Sequence, residues 1–173
     1  GSCSNLRMIA RENFDTYGLD LSDEALLLGQ KMLAHWQVEA NLKQGSFLEL
    51  PYEDNSFDVV VDVFSMNCVN HDGFLTAIKE VCRVLKKGGM FFSYTPSQNS
   101  DAFKNYEPAK KIDDFTLNGI YRESSPFSGN HYPFHFWENA SYRDALIDAG
   151  FSVDYLETVR RSYYQEQDNF EHI

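Results

Sequence analysis

The chain has 173 residues, with 26 Asp and Glu against 15 Lys and Arg, and a formal charge of −11. That charge repels phosphate backbones and argues against nucleic acid as a partner. Hydrophobic content of 43% and aromatic content of 15% exclude a disordered chain and suffice for one domain with a substantial core.

In chain order, Leu6–Ala10 reads as a helix starting near Ser4 or Asn5. Phe14–Asp20 alternates and ends on a carboxylate, as a short strand does. Ser22 is an N-cap with Asp23 and Glu24 in the first turn, and Ala25, Leu28, Met32 and Trp36 recur at helical spacing. Asn41–Gly45 is a short strand, Tyr52–Ser56 a turn cluster, and Phe57–Ser65 the strongest strand. Phe74, Ile78, Val81 and Leu85 define an amphipathic helix, with Lys86 and Lys87 at its C-terminus and Gly88 as its C′ residue. Met90–Tyr94 is the next strand, stopped by Pro96. Residues 97–137 lack periodicity and are rich in aromatics, Gly and Pro; such a long irregular stretch in a single domain of residues 1–173 reads as functional or partly disordered, and its aromatics argue for a packed cover or lid. Tyr142, Ala145, Leu146 and Ala149 restore a helix closed by Gly150. Phe151–Val159 is a strand, and Asn169–Ile173 opens another.

Cys3, Cys68 and Cys82 are odd in number and form no Cys-x-x-Cys pair. That argues against a disulfide framework or a structural zinc, and for a reducing cytoplasm. No apolar run approaches the ~20 residues of a membrane span, and the small, polar Gly1–Asn5 does not look like a signal peptide.

Alternating helices and strands imply an α/β, doubly wound, mostly parallel sheet, whose ligands bind beyond the carboxyl ends of the strands. Asp20 at such an end suits the paired hydroxyls of a ribose; it also reads as an ordinary turn or helix-start Asp. Ser46 and Phe47 suit the edge and face of an adenine, with Leu21 on the other face; Phe47 also reads as plain core.

Four motifs in order sharpen this: Gly18-Leu19-Asp20-Leu21-Ser22, Gln44-Gly45-Ser46-Phe47 with Leu50-Pro51, Asp54-Asn55-Ser56-Phe57-Asp58-Val59-Val60, and Arg83-Val84-Leu85-Lys86-Lys87-Gly88-Gly89. Together they resemble the small-molecule branch of the class I S-adenosylmethionine-dependent methyltransferases, over roughly Gly1 to Phe151. The resemblance implies a Rossmann-like fold, S-adenosylmethionine as cofactor and a small-molecule acceptor, with no metal. It implies that Asp20 holds the ribose, that Leu21, Ser46 and the Phe47 N–H meet the adenine, and that Ser65 to Asn67 lie near the methionine end. Two departures stand out. Ser46 replaces the carboxylate of many relatives. The glycine-rich loop is reduced to Gly1-Ser2-Cys3, with Gly1 as its middle glycine or, equally, Gly1-Ser2 as a cloning remnant. The expected sheet thus has its first strand missing and its last incomplete, as in a longer protein trimmed at both ends.

Methyl transfer from a sulfonium needs positioning, and a base only for a hydroxyl or protonated amine. His71, followed by Asp72, reads as that base or as a solvent-facing loop histidine. His131, Tyr132 and His135 are the expected acceptor-side residues, or a hairpin packed for stability. The competing functions are a catalytically silent copy of the fold serving as a binding module and a nicotinamide-dependent oxidoreductase. The latter lacks any Tyr-x-x-x-Lys-like pair after the fourth strand.

Overall fold

The computed structural model describes residues 1–173, which divide into two compact units, Gly1–Pro51 and Tyr52–Ile173. The first unit contains α1 (Ser4–Arg11), β1 (Tyr17–Asp20), α2 (Asp23–Trp36) and β2 (Asn41–Gln44). The Ser22 hydroxyl accepts from the Ala25 N–H, with Asp23 and Glu24 in the first turn, so α2 starts where its cap places it. Its buried side is not the expected one. Gly29 and Leu33 are buried and Leu28 is 48% exposed, because the stripe facing the strand is rotated by about one residue. Gly29 serves close approach: a Cβ there would lie 2.5 Å from the Cys3 Sγ. β1 and β2 pair in parallel from Tyr17↔Asn41 to Asp20↔Gln44. Phe14 to Thr16, expected in the first strand, precede it.

The second unit opens on β3 (Phe57–Val63), a 3-10 turn (Met66–Cys68), α3 (His71–Val84) and β4 (Leu85–Tyr94). β3 and β4 pair in parallel from Val59↔Met90 to Val63↔Tyr94. The helix between them buries Phe74, Ala77, Ile78, Val81 and Val84, as its spacing demands. Lys86 and Lys87 do not end this helix. α3 stops at Val84, Leu85 is extended, and residues 86–89 bulge opposite Asp58, with Gly88 at φ +80° supplying the left-handed turn. Lys86 Nζ then reaches the Asp58 carboxylate at 2.8 Å in an exposed ion pair, which at that exposure stabilises little.

Residues 97–137 hold α4 (Asp101–Lys104) and the two-residue strands β5 (Thr116–Leu117) and β6 (Phe134–His135), paired antiparallel. This segment is densely packed: Phe103, Leu117, Ile120, Phe134 and Phe136 form one cluster with Phe170. The chain closes with α5 (Asn139–Asp148), β7 (Val159–Tyr163) and β8 (Asp168–His172). The strand expected at Phe151–Val159 is absent until Val159. Its alternation is present, but pairing begins only there, where β8 lies alongside. Asn169 to His172 fall in β8, as expected of a final strand. Past β4, Thr95 exchanges backbone hydrogen bonds with Ile173 at 3.0 and 2.9 Å, so the C-terminal segment is stitched to the chain leaving the parallel pair.

Candidate functional site

In the first unit, the candidate residues gather at the carboxyl ends of β1 and β2, because the register sets Asp20 opposite Gln44. The Asp20 carboxylate accepts from the Ser22 N–H at 3.0 Å and from the Gly1 ammonium. Partial burial pulls its pKa up, but those two donors outweigh burial and hold it below the ordinary value. Leu21 is 72% exposed, and its carbonyl accepts from Gln44 Nε2 at 3.2 Å, which ties the two strand ends together. Ser46 turns inward on its own loop: its hydroxyl accepts from the Leu48 N–H at 3.1 Å and its carbonyl from the Glu49 N–H at 3.3 Å. The neighbouring Phe47 is half-buried, and no protein acceptor takes its N–H.

In the second unit, the turn after β3 is held by Asp62, a residue that sequence reasoning left unassigned. Its Oδ1 accepts from the Ser65 and Met66 N–H groups at 3.1 and 3.2 Å, fixing the path on which Ser65 and Asn67 ride. Ser65 is exposed, whereas Asn67 is buried with its Oδ1 unpaired. Burial pushes the Asp62 carboxyl up to about 6, despite the backbone hydrogen bonds that favour its ionised form. This makes a test. The folded pKa lies above the unfolded one, so the associated stability is fully present below about 4 and is lost as pH rises through about 6. Asp62→Asn keeps the Oδ1 acceptor and abolishes the titration. Urea melts of wild type and variant are expected to diverge by about 2 kcal/mol between pH ~4.5 and ~8, the variant gaining at the higher pH. Parallel curves would place the ionised Asp62 in water.

His71 opens α3 beside this turn. Asn70 caps the helix through the Gly73 N–H, and the His71 N–H donates to Asp113 Oδ2 at 3.0 Å. The His71 ring lies flat on Phe115, centroids 4.2 Å apart at 12°, and its Nδ1 is 3.1 Å from His135 Nε2. His135 is fully buried against Phe74 and Trp137. Burial, and then the neighbouring His71, push its pKa down to about 3, so it is neutral at any ordinary pH. Tyr132 is 45% exposed and lies beside Cys68 at the end of the 3-10 turn; burial and the neighbouring thiol raise its pKa. His131 is exposed, its ring centroid 5.3 Å from that of Tyr121.

The structure therefore brings His71 to His135 and Tyr132 to Cys68, while His131 stands apart. Asp62, Asp113, Phe115 and Trp137 escaped sequence reasoning. Asp62 alone carried a signal, as a carboxylate inside an apolar strand. No three His, Cys, Asp or Glu side chains converge in metal-ligating geometry, and no helix is long and apolar enough to cross a membrane.

A family model described as a methyltransferase domain matches residues 1–89, just over half of the chain. The chain belongs to this methyltransferase-domain family. The matched stretch of the methyltransferase domain holds Gly1, Asp20, Leu21, Ser46, Phe47, Ser65, Asn67 and His71, and ends before His131, Tyr132 and His135. Among curated relatives, a demethylmenaquinone methyltransferase of Alkalihalophilus pseudofirmus is 39% identical over 90 residues, 51% of this chain and 37% of that enzyme. The Staphylococcus haemolyticus protein of the same name is 41% identical over 81 residues, 47% of this chain and 33% of that enzyme. The chain thus matches little more than a third of these relatives' length.

Solved structures extend the likeness of fold to the whole chain. A SAM-dependent methyltransferase from Methanosarcina mazei superposes with TM-score 0.80 at 20% identity, covering 99% of this chain and 85% of that one. The 1,6-didemethyltoxoflavin-N1-methyltransferase of Burkholderia thailandensis, solved with S-adenosylhomocysteine, gives 0.68 at 11% identity, covering 99% and 65%. The cyclase SpnF gives 0.65 at 18% identity, covering 92% and 50%. The methyltransferase domain is accordingly a Rossmann-like α/β fold.

Proposed function

We propose that the protein is an S-adenosylmethionine-dependent methyltransferase acting on a small-molecule acceptor. The observation that carries this reading is the Asp20 carboxylate at the end of a parallel strand, inside the stretch that matches the family. The residues present fit the adenosyl group. Asp20, oriented by the Ser22 N–H, would accept from the ribose hydroxyls. The free Phe47 N–H would meet the adenine edge, with the exposed Leu21 against its face. With its hydroxyl committed to Leu48, Ser46 would contribute through backbone and packing rather than as a charge. Ser65, exposed on the turn after β3, would meet the methionine end with Asn67 buried behind it, and Gly1 the remainder of the loop.

The cofactor supplies a methyl group on a positively charged sulfur, already activated for in-line displacement. What remains for the chain is to hold an acceptor atom ~3 Å from that carbon and to exclude water. Residues 97–137 would cover the acceptor, with Tyr132 as its exposed aromatic and His131 at the rim. The acidic surface suits no nucleic acid, and the three free thiols suit a cytoplasmic compartment. The reading in competition is a methyltransferase fold without methyl transfer; the likeness to a cyclase favours testing it.

Calorimetric titration with S-adenosylhomocysteine, with NADH as a parallel control, separates these. Binding of the first alone is expected; binding of neither would favour the silent module. In the same assay Asp20→Ala is expected to weaken S-adenosylhomocysteine by about 1.5–3 kcal/mol, roughly 10- to 150-fold, the loss of a hydrogen bond to a charged group. An unchanged affinity would remove Asp20 from the site.

A further inference from the structure

His135 has no exposed surface, so its side chain meets His71 rather than an acceptor. The pair is tightly built. β6 fixes the backbone of His135 opposite Thr116, and Phe74, Phe115 and Trp137 enclose its ring at 5.0, 5.7 and 4.7 Å. His71 is anchored through its backbone by Asp113 and through its ring face by Phe115. Its Nδ1 is engaged by His135, while no protein group takes its Nε2, and the residue is only half-buried.

One proton lies between the two rings, and which ring owns it decides what His71 can do. Which nitrogen of an imidazole carries its hydrogen is set by the bond the other makes. If His71 donated from Nδ1, His135 would accept at Nε2 and carry its own proton on Nδ1. That Nδ1 is buried without a partner, and a buried donor left unpaired keeps its full desolvation cost. Both rings would also sit in the tautomer that neutral imidazole side chains disfavour. If His135 instead donates from Nε2, its Nδ1 holds only a lone pair, and both histidines keep the preferred Nε2–H form.

We infer that His135 is a positioning residue that donates from Nε2 to His71 Nδ1 and thereby fixes His71 as an outward Nε2–H hydrogen-bond donor. On the methyltransferase reading, His71 then meets the acceptor as a donor and not as the expected base. It recognises a lone pair, an anionic or carbonyl oxygen, on a molecule that reaches the site without a proton to lose. In the transfer the acceptor's electron pair forms the bond to the methyl carbon, the carbon–sulfur pair leaves with the thioether, and His71 keeps its proton throughout. The neutrality of His135, at a pKa of about 3, prevents it from draining that proton inward.

The test is nitrogen-15 NMR of imidazole-labelled protein, which needs no knowledge of the acceptor. The expected result is a one-bond N–H coupling at His135 Nε2, a trans-hydrogen-bond coupling to His71 Nδ1, and a proton on His71 Nε2. His135→Phe is expected to abolish the bridging signal and free the His71 ring, and His135→Gln, whose amide can donate, to restore a bonded Nδ1. A bridging proton covalently on His71 Nδ1, or no bridging proton, would overturn the inference. S-adenosylhomocysteine titration of the same samples keeps the two claims separate. An absence of binding in wild type would overturn the donor role toward an acceptor together with the methyltransferase reading, while the tautomer result would be decided by the spectra alone.

Discussion

Trp137→Ala is expected to destabilise the protein by about 3–5 kcal/mol, the range for removing a large buried aromatic. Trp137 is 1% exposed and stands at the centre of the aromatic wall behind the candidate site. Its ring lies 5.2 Å from His71, 4.7 Å from His135, 5.3 Å from Phe74 and 5.1 Å from Tyr142. Its backbone is also stitched to the chain after β4, donating to the Pro96 carbonyl and accepting from the Gln98 N–H, both at 2.8 Å. The cavity left by alanine would therefore open between α3, α5 and the segment that carries His135. Urea unfolding measures the loss, and the bridging imidazole signal should broaden with it. Trp137→Phe is the control. It keeps most of the apolar contact and removes an indole N–H that has no partner, so its cost should stay below about 1.5 kcal/mol. A loss under ~1 kcal/mol for Trp137→Ala would mean that the wall collapses readily and does not hold the histidines.

Arg122→Met should cost as much, by a different route. Asp168 at the start of β8 is fully buried. Its Oδ2 accepts from Arg122 Nε at 2.6 Å and from Ser124 Oγ at 3.2 Å, and its Oδ1 has no partner. Removing the guanidinium leaves a buried carboxylate with one neutral donor, and breaking such a pair costs about 3–5 kcal/mol. Replacing both partners with apolar residues, Arg122→Met with Asp168→Leu, should recover most of that, since no uncompensated charge remains. Thermal and urea melts of the single and double variants measure the difference. Equal losses in the two would show that the carboxylate is hydrated and that the pair matters through packing alone.

Local chemistry made much of the framework legible. Ser22 announced α2 because its hydroxyl has one obvious use, the Ala25 N–H. The apolar run from Phe57 announced β3, and the spacing of Phe74, Ile78 and Val81 announced α3. These signals sit within a few residues of the groups they satisfy. Asp20 was found in the same way, as a carboxylate closing a strand. The errors share one cause. Leu28 and Leu33 are equally leucine, and only the neighbours of α2 decide which is covered. Phe151 to Glu157 alternate like a strand but gain no partner. Gly88 has the left-handed backbone expected of it, yet spends it on a bulge in β4 rather than on the end of α3.

The sequence by itself determined the α/β alternation, the family and the carboxylate that closes the first parallel strand. Each of these is written in hydrogen-bonding periodicity or in a short motif. Only the tertiary structure decided where the histidines lie. His71 and His135 are 64 residues apart in the chain, and their pairing rests on a two-residue strand, an Asp113 cap and a Phe115 ring that no local pattern marks. Burial encloses His135 against His71 and keeps it neutral. An imidazole's role depends on its surroundings, because the position and the loss of its proton are set by the groups that enclose it.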